Sequence, residues 1–436
     1  MLIRATILQT PTRDRLEVLE DHVVEIAADG TIDAVRPAEV SEAVDLHLPA
    51  TTVLVPGLID THLHAPQWPQ LGTGLDLPLD QWLFENTFPL EARCADEAYA
   101  RHTWSTMVPT LLALGTTTAV YYSSVHESAT VALAEQCIAS GQRAFVGRVA
   151  MDHPEGTPDY YRDTSPAASI EATARVIDAI RQLDGAAGLV EPIITPRFIP
   201  ACTDESLRGH GELAAATGVR IQTHCSEGDW QHAHVQERCG VNDAFALDGF
   251  GLLDDHTVLA HATHLDDDDR GLLVERGAGV AHCPLSNSYF ANAVFPLRRN
   301  LDAGLRIGLG TDVAGGASPS LFANCDHAVT VSRMLEDGVD VARQEQRGVP
   351  SSRVDIVTAF FVATTGGADL LGIDAGLLAP GRVFDALAID ISADGPLGIV
   401  PDIDDWDRTF EKLVRRGGPA SIRTVWVNGR QVAGGV

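Results

Sequence analysis

Four short stretches of this 436-residue chain carry metal-ligating or proton-transferring side chains at the ends of apolar runs. The first reads Pro56-Gly57-Leu58-Ile59-Asp60-Thr61-His62-Leu63-His64. In a strand, residues two apart share a face, so His62 and His64 project together while Leu63 projects away. Two imidazoles so placed can take adjacent positions on one metal ion. The other runs end Thr223-His224-Cys225-Ser226-Glu227, Ala260-His261-Ala262-Thr263-His264 and Gly308-Leu309-Gly310-Thr311-Asp312. His224 and His261 add nitrogen donors, and Asp312 adds oxygen. Mixed donors with one open position suit a catalytic divalent ion, zinc first and iron second, one per chain. Glu227 lies three residues past His224, so it meets the site only if the strand has ended by then. There, a carboxylate beside the metal rather than on it would move protons in a hydrolytic reaction.

Each residue also has a blander reading: a histidine at a strand end is often a satisfied core group, and an Asp there can cap the next helix. Their joint placement outweighs this, because the five fall at the ends of the first, fifth, sixth and eighth of eight apolar runs. Cys225 and His264 point outward by parity. His282 in the seventh run is open between packing and ligation, with packing favoured. His232-Ala233-His234 lies in a helical stretch, where residues two apart diverge, and is expected on a solvated surface. The acidic run Asp266–Asp269 reads as a helix N-terminus complementing the dipole. No G-x-S-x-G, P-loop or heptad pattern is present.

The elements that must position these residues have a regular order. Strand-like runs cover Val53–His64, Thr116–Ser124, Arg143–Met151, Leu189–Phe198, Val219–Glu227, Thr257–Leu265, Gly279–Asn287 and Arg306–Ala314. Helical patterns lie between most of them, at Ala129–Ala139, Pro166–Leu183, Asp204–Thr217 and Asp266–Arg276. Eight such steps predict an α/β fold, a (β/α)8 TIM-like barrel over residues 56–379 with its chemistry at the C-terminal strand ends. A doubly wound open sheet competes, but no GxGxxG follows the first strand. Residues 1–55 and 380–436 read as short strands, with hairpin turns at Asp29-Gly30 and Asn428-Gly429. They predict one small β-sandwich domain assembled from both termini.

The chain has 31 basic and 60 acidic side chains, a formal charge of −29. That argues against a nucleic-acid polymer or an anionic membrane as partner, and leaves room for a small neutral molecule. A hydrophobic fraction of 45% with 21% charged residues is that of a globular protein with a large core. Residues 1–15 form no apolar leader block, and the seven scattered cysteines contain no CxxC. Reduced thiols in a cytoplasmic protein are the expectation.

The wording around the ligand residues resembles the guanine deaminases of the amidohydrolase superfamily. The matching segments are His64-Ala65-Pro66-Gln67, Gly72–Leu79, Thr87–Glu91, Gly141–Gly147, Thr195-Pro196-Arg197-Phe198, Gln222–Glu227 and Gly308–Gly316. The similarity runs from about residue 50 to residue 335, and the HAPQ and PRF segments are its most specific parts. The resemblance implies that His62, His64, His224, His261 and Asp312 surround a zinc ion, with His261 either a ligand or a partner of the bound water. It implies that Gln67, Arg197 and Phe198 hold a purine base, and that Glu227, Asp312 and His261 act in deaminating guanine to xanthine and ammonia. A homodimer is implied as well. Two loops depart from the family wording, at Met151-Asp152-His153-Pro154 and at Leu285 with Ser288–Phe295. They keep open another amino-heterocycle as substrate: 8-oxoguanine, a pterin, cytosine or a triazine. A non-catalytic scaffold is the remaining alternative, and such proteins typically lose ligands that are all present here.

Overall fold

A computed structural model describes residues 1–435. Eight parallel strands form one sheet: β1 (Leu58–His64), β2 (Thr116–Tyr122), β3 (Arg143–Gly147), β4 (Val190–Pro192), β5 (Ile221–Cys225), β6 (Thr257–His261), β7 (Gly279–His282) and β8 (Arg306–Leu309). Their order is β4-β3-β2-β1-β8-β7-β6-β5. A parallel bridge between Ile194 and Ile221 joins the two outer strands, so the sheet closes into a barrel and the open-sheet alternative falls away. Helices follow most strands, including Glu127–Ser140, Pro166–Arg181, Asp204–Thr217 and Asp267–Arg276. The last begins in a capping box, Asp266 accepting from the Asp269 N–H and Asp269 from the Asp266 N–H, so the acidic run is a helix start.

The two ends of the chain share a second, mixed sheet of eight strands. Its N-terminal members include Leu2–Thr12, Arg15–Ile26, Ile32–Pro37 and Thr52–Pro56, and its C-terminal members are Ala386–Asp390, Ile422–Val427 and Arg430–Gly434. The seam between the ends is antiparallel pairing of Thr52–Pro56 with Ala386–Asp390. The sheet has its own core, with Ile3, Ile7, Val24, Leu54, Phe384 and Trp426 buried together. Asn428 and Gly429 both have positive φ, the geometry of a tight hairpin whose twist matches its strands.

Several expected strands are shorter than the apolar runs. Val53–His64 is two strands separated by Gly57, the first in the terminal sheet and the second in the barrel. A Cβ at Gly57 would lie 2.2 Å from the Thr117 hydroxyl, so glycine lets the crossing pass close to β2. Leu189–Phe198 divides into β4 and Thr195–Pro196, which pairs with Val149–Ala150. Gly279–Asn287 stops at His282, because Pro284 opens a helix over Pro284–Phe290. Arg306–Ala314 stops at Leu309. Among the described residues no helix is long and apolar enough to cross a membrane, and all seven cysteines are free, six of them buried.

His210 ties two barrel helices together. Its Nδ1–H donates to the Ser206 carbonyl at 2.8 Å, and its Nε2 faces the Thr173 hydroxyl at 3.0 Å. Burial lowers its pKa from 6.5 to about 4. The unfolded chain therefore binds this proton more readily than the folded one. The stability His210 contributes is complete above pH 6.5 and is lost as pH falls toward about 4. The expected loss is about 3 kcal/mol over that window. Unfolding midpoints measured from neutral to acid pH should flatten in His210→Gln relative to the parent; identical profiles would remove His210 as a source of acid lability.

Candidate active site

The C-terminal ends of β1, β5, β6 and β8 deliver the five expected ligand residues to one point. Asp312 Oδ1 lies 3.2 Å from His62 Nε2 and 3.4 Å from His64 Nε2, and the Nε2 atoms of His64 and His224 are 3.1 Å apart. His261 Nε2 is 3.9 Å from Asp312 Oδ2 and 3.7 Å from Glu227 Oε1. The outer nitrogens of two imidazoles are tied: His224 Nδ1 donates to the Arg197 carbonyl at 2.6 Å, and His261 Nδ1 donates to Asn287 Oδ1 at 2.9 Å. Those bonds fix the tautomers, so each Nε2 turns a lone pair to the centre. The Nε2 atoms of His62 and His261 are buried without a hydrogen-bond partner. Burial pushes His62, His64 and His224 well below the ordinary histidine range. Unprotonated imidazoles with orphaned inward nitrogens beside a carboxylate fit a divalent cation; without one, such atoms are costly to bury.

Backbone strain accompanies this convergence. Ser226, His261, Ala262 and Asp312 have φ between 45° and 69°, a region that non-glycine residues rarely adopt. At Ser226 the left-handed turn ends β5 and swings Glu227 toward the centre, overriding strand parity. The Ser226 hydroxyl donates to Asp243, and Thr263 donates to the Ser226 carbonyl at 2.8 Å, so the turn is held on two sides. Burial, with Asp312 nearby, raises the Glu227 pKa to about 8. That environment favours the protonated acid over the carboxylate.

A cavity opens beside the cluster, lined by His64, His224, Glu227 and Asp312 together with Gln67, Arg197 and Phe198. The expected base-binding residues thus share it with three of the five expected ligands, His64, His224 and Asp312. Trp82 and Phe290 also line it, their rings 5.1 Å apart. Of the two departing loops, the one containing Phe290 reaches the cavity. Asp152 instead receives the Thr203 N–H and hydroxyl at 2.8 and 2.6 Å.

His282 is buried against the Phe295 ring and lies outside the ligand groups, with both nitrogens unpartnered. The His232 and His234 expectation needs correcting. Neither is a freely solvated side chain: His232 is half-buried, 3.3 Å from Asp243, and stacks on His264. Four groups escaped the sequence reading. Glu91 holds Arg197 and Gln67, Asn287 holds His261, and Asp60 ties Thr311 to β1. Tyr122 packs its ring within 5 Å of three of the imidazoles. Tyr122 ends β2 as His64 ends β1, a register signal readable once the strands are aligned.

A closed parallel barrel with a His/Asp cluster at its strand ends defines a metal-dependent hydrolase. Residues 53–432 match the amidohydrolase family. A probable guanine deaminase of Schizosaccharomyces pombe is 40% identical over 386 residues, 87% of this chain and 71% of that one. The solved guanine deaminase of C. acetobutylicum, with guanine bound in its active site, superposes with a TM-score of 0.89 at 27% identity, covering 99% of each chain. An adenosine deaminase from Xanthomonas campestris with bound zinc superposes at 0.82 with 25% identity, covering 99% of this chain and 92% of that one. This chain belongs to the amidohydrolase family and, within it, to the guanine deaminases, as a metal-dependent aminohydrolase.

Proposed function

We propose that this protein hydrolyses guanine to xanthine and ammonia with one zinc ion per chain. The observation that carries it is the single cavity shared by the ligand cluster and by Gln67, Arg197 and Phe198. His62, His64, His224 and Asp312 would hold the ion, with His261 either a fifth ligand or a partner of the attacking water. When bound, such an ion supplies Lewis acidity that makes hydroxide accessible near neutral pH. The bound zinc of the adenosine deaminase relative supports that choice of metal.

The residues then divide the proton work. Asp312 accepts a proton from the attacking water as its oxygen forms a bond to C2 of the base. Glu227, acting as the acid, gives its proton to the adjacent ring nitrogen. As a carboxylate it then takes the proton of the new C2 hydroxyl and passes it to the amino group, so that C2=O forms and the C2–N bond breaks to release ammonia; the proton held by Asp312 restores Glu227. His261 steadies the attacking oxygen through its inward Nε2. Gln67 offers both donor and acceptor to a ring edge, Arg197 offers donors to carbonyl or ring-nitrogen acceptors, and Phe198 can stack on the bicycle. Family resemblance supports a homodimer, and composition supports a cytoplasmic setting.

A second reading keeps the same machinery for another amino-heterocycle. It draws support from Phe290, which lines the cavity from a loop unlike the family's usual wording. Ultraviolet spectra should separate the two, recorded side by side with guanine, 8-oxoguanine, pterin, cytosine and an aminotriazine. Guanine should be consumed fastest with stoichiometric ammonia, the rate disappearing on chelation and returning with zinc. Metal-loaded protein that leaves guanine untouched would overturn the assignment and turn attention to the Phe290 loop.

A further inference from the structure

Arg197 and Glu91 form a buried ion pair at the cavity, their side chains 3% and 1% exposed. Arg197 Nη1 donates to Glu91 Oε2 at 2.6 Å and Nη2 to Oε1 at 3.0 Å. Gln67 Nε2 donates to the same Oε1 at 2.9 Å, while Gln67 Oε1 accepts from the Ala314 N–H at 3.0 Å. One carboxylate thus orients the guanidinium and the amide together, and the Ala314 bond settles which way the amide faces. The Phe88 ring lies 5.1 Å from the guanidinium carbon. A lone buried guanidinium would attract anions. Paired in this two-pronged way, it keeps N–H donors for a ligand while carrying no net charge.

We propose that Glu91 is a positioning residue that sets the charge preference of the purine site. It orients Arg197 and Gln67 for the base and cancels the guanidinium charge, so the cavity takes a neutral aminopurine and disfavours an anionic purine. The proposal rests on the assignment of Gln67 and Arg197 to base binding. It also bears on product release: replacing an amino group by an oxo group gives a more acidic purine, whose anion finds no unpaired guanidinium at the base-binding end of the cavity.

The test uses metal-loaded enzyme at one pH near neutrality, with guanine as substrate and two competitive inhibitors of similar size, neutral hypoxanthine and anionic urate. In Glu91→Gln, KM for guanine should rise about tenfold while kcat and metal content hold, and inhibition should shift about tenfold toward urate. Glu91→Asp, which restores the charge, should recover most of both. Arg197→Met should shift inhibition away from urate, because Glu91 is then uncompensated. The Glu91→Gln/Arg197→Met double variant should return to the parent's ratio. That last comparison carries the test even if Glu91→Gln alone fails to fold. An unchanged guanine KM in Arg197→Met would overturn the base-binding assignment and the proposal with it. A raised KM with the same inhibitor ratio in all variants would overturn the role of Glu91 alone.

Discussion

Glu227→Gln is expected to lower kcat by about 10²- to 10⁴-fold, the usual contribution of a positioned acid–base group. The substitution keeps the side chain's size and removes its ability to exchange a proton. Glu227 is buried, 3.7 Å from His261 Nε2, and burial with Asp312 nearby raises its pKa to about 8, which favours the acid form that proton donation needs. Because it would stand beside the ion rather than hold it, metal content should stay at the parent's level. Guanine binding should change little, since Gln67 and Arg197 are untouched. Elemental analysis, equilibrium binding and single-turnover rates on one preparation separate these quantities. A variant that turns over at near the parent's rate would remove Glu227 from the chemistry and leave Asp312 as the only carboxylate to move protons.

Asp60→Ala should be the most damaging substitution outside the ligand set. Asp60 is fully buried in β1 and accepts three hydrogen bonds: from the Thr311 N–H at 3.0 Å, the Thr311 hydroxyl at 2.5 Å and the His62 N–H at 3.3 Å. It also sits opposite Leu309, the register pair that joins β8 to β1. Removing the carboxylate strands these donors in the interior, at about 1–3 kcal/mol each before relaxation, so a net loss of about 3–5 kcal/mol is expected. The groups it holds immediately precede Asp312 and include the backbone of His62, so zinc affinity should also fall by about 10- to 100-fold. Denaturant titration of the zinc-free forms and zinc titration of the folded ones read the two effects separately. Asp60→Asn, which keeps an acceptor, should be milder on both counts. An Asp60→Ala protein with the parent's midpoint would show that β1 and β8 are held in register by packing alone.

The barrel and the metal-ligand geometry were legible because they depend on period and order. His62 and His64 share a face by strand parity, and His224, His261 and Asp312 fall at the ends of the fifth, sixth and eighth strands, so counting along the chain was enough. Glu227 lay at the limit of that logic. Parity turned it away, and only the end of β5 at Ser226 turns it back. Asn287 was missed for a related reason: an apolar run was read as continuing past His282, whereas Pro284 starts a helix that carries Asn287 back to His261. Glu91 lies in a segment of family wording, Thr87–Glu91, but nothing local marks what it binds. Its partner Arg197 is 106 residues away, and a lone Glu in a helical stretch has the pattern of a solvated face. His232 erred the other way, since its half-buried place is set by Asp243, one helix further on. Periodicity finds what lies along one element, and it is blind to polar pairs that form only when distant loops meet.

The seam between the two ends of the chain has a consequence for synthesis. Thr52–Pro56 runs directly toward β1, yet its antiparallel partner, Ala386–Asp390, is made some 330 residues later. At about 5–20 residues per second, a nascent chain waits roughly 20 to 60 seconds before that edge can be covered. During that interval Val53, Leu54 and Val55, all buried in the finished protein, are an apolar strand with one side open. The barrel that carries the chemistry is thus translated before the sheet beside it can close. Chaperone dependence and the solubility of C-terminal truncations should both centre on this edge rather than on the catalytic cavity.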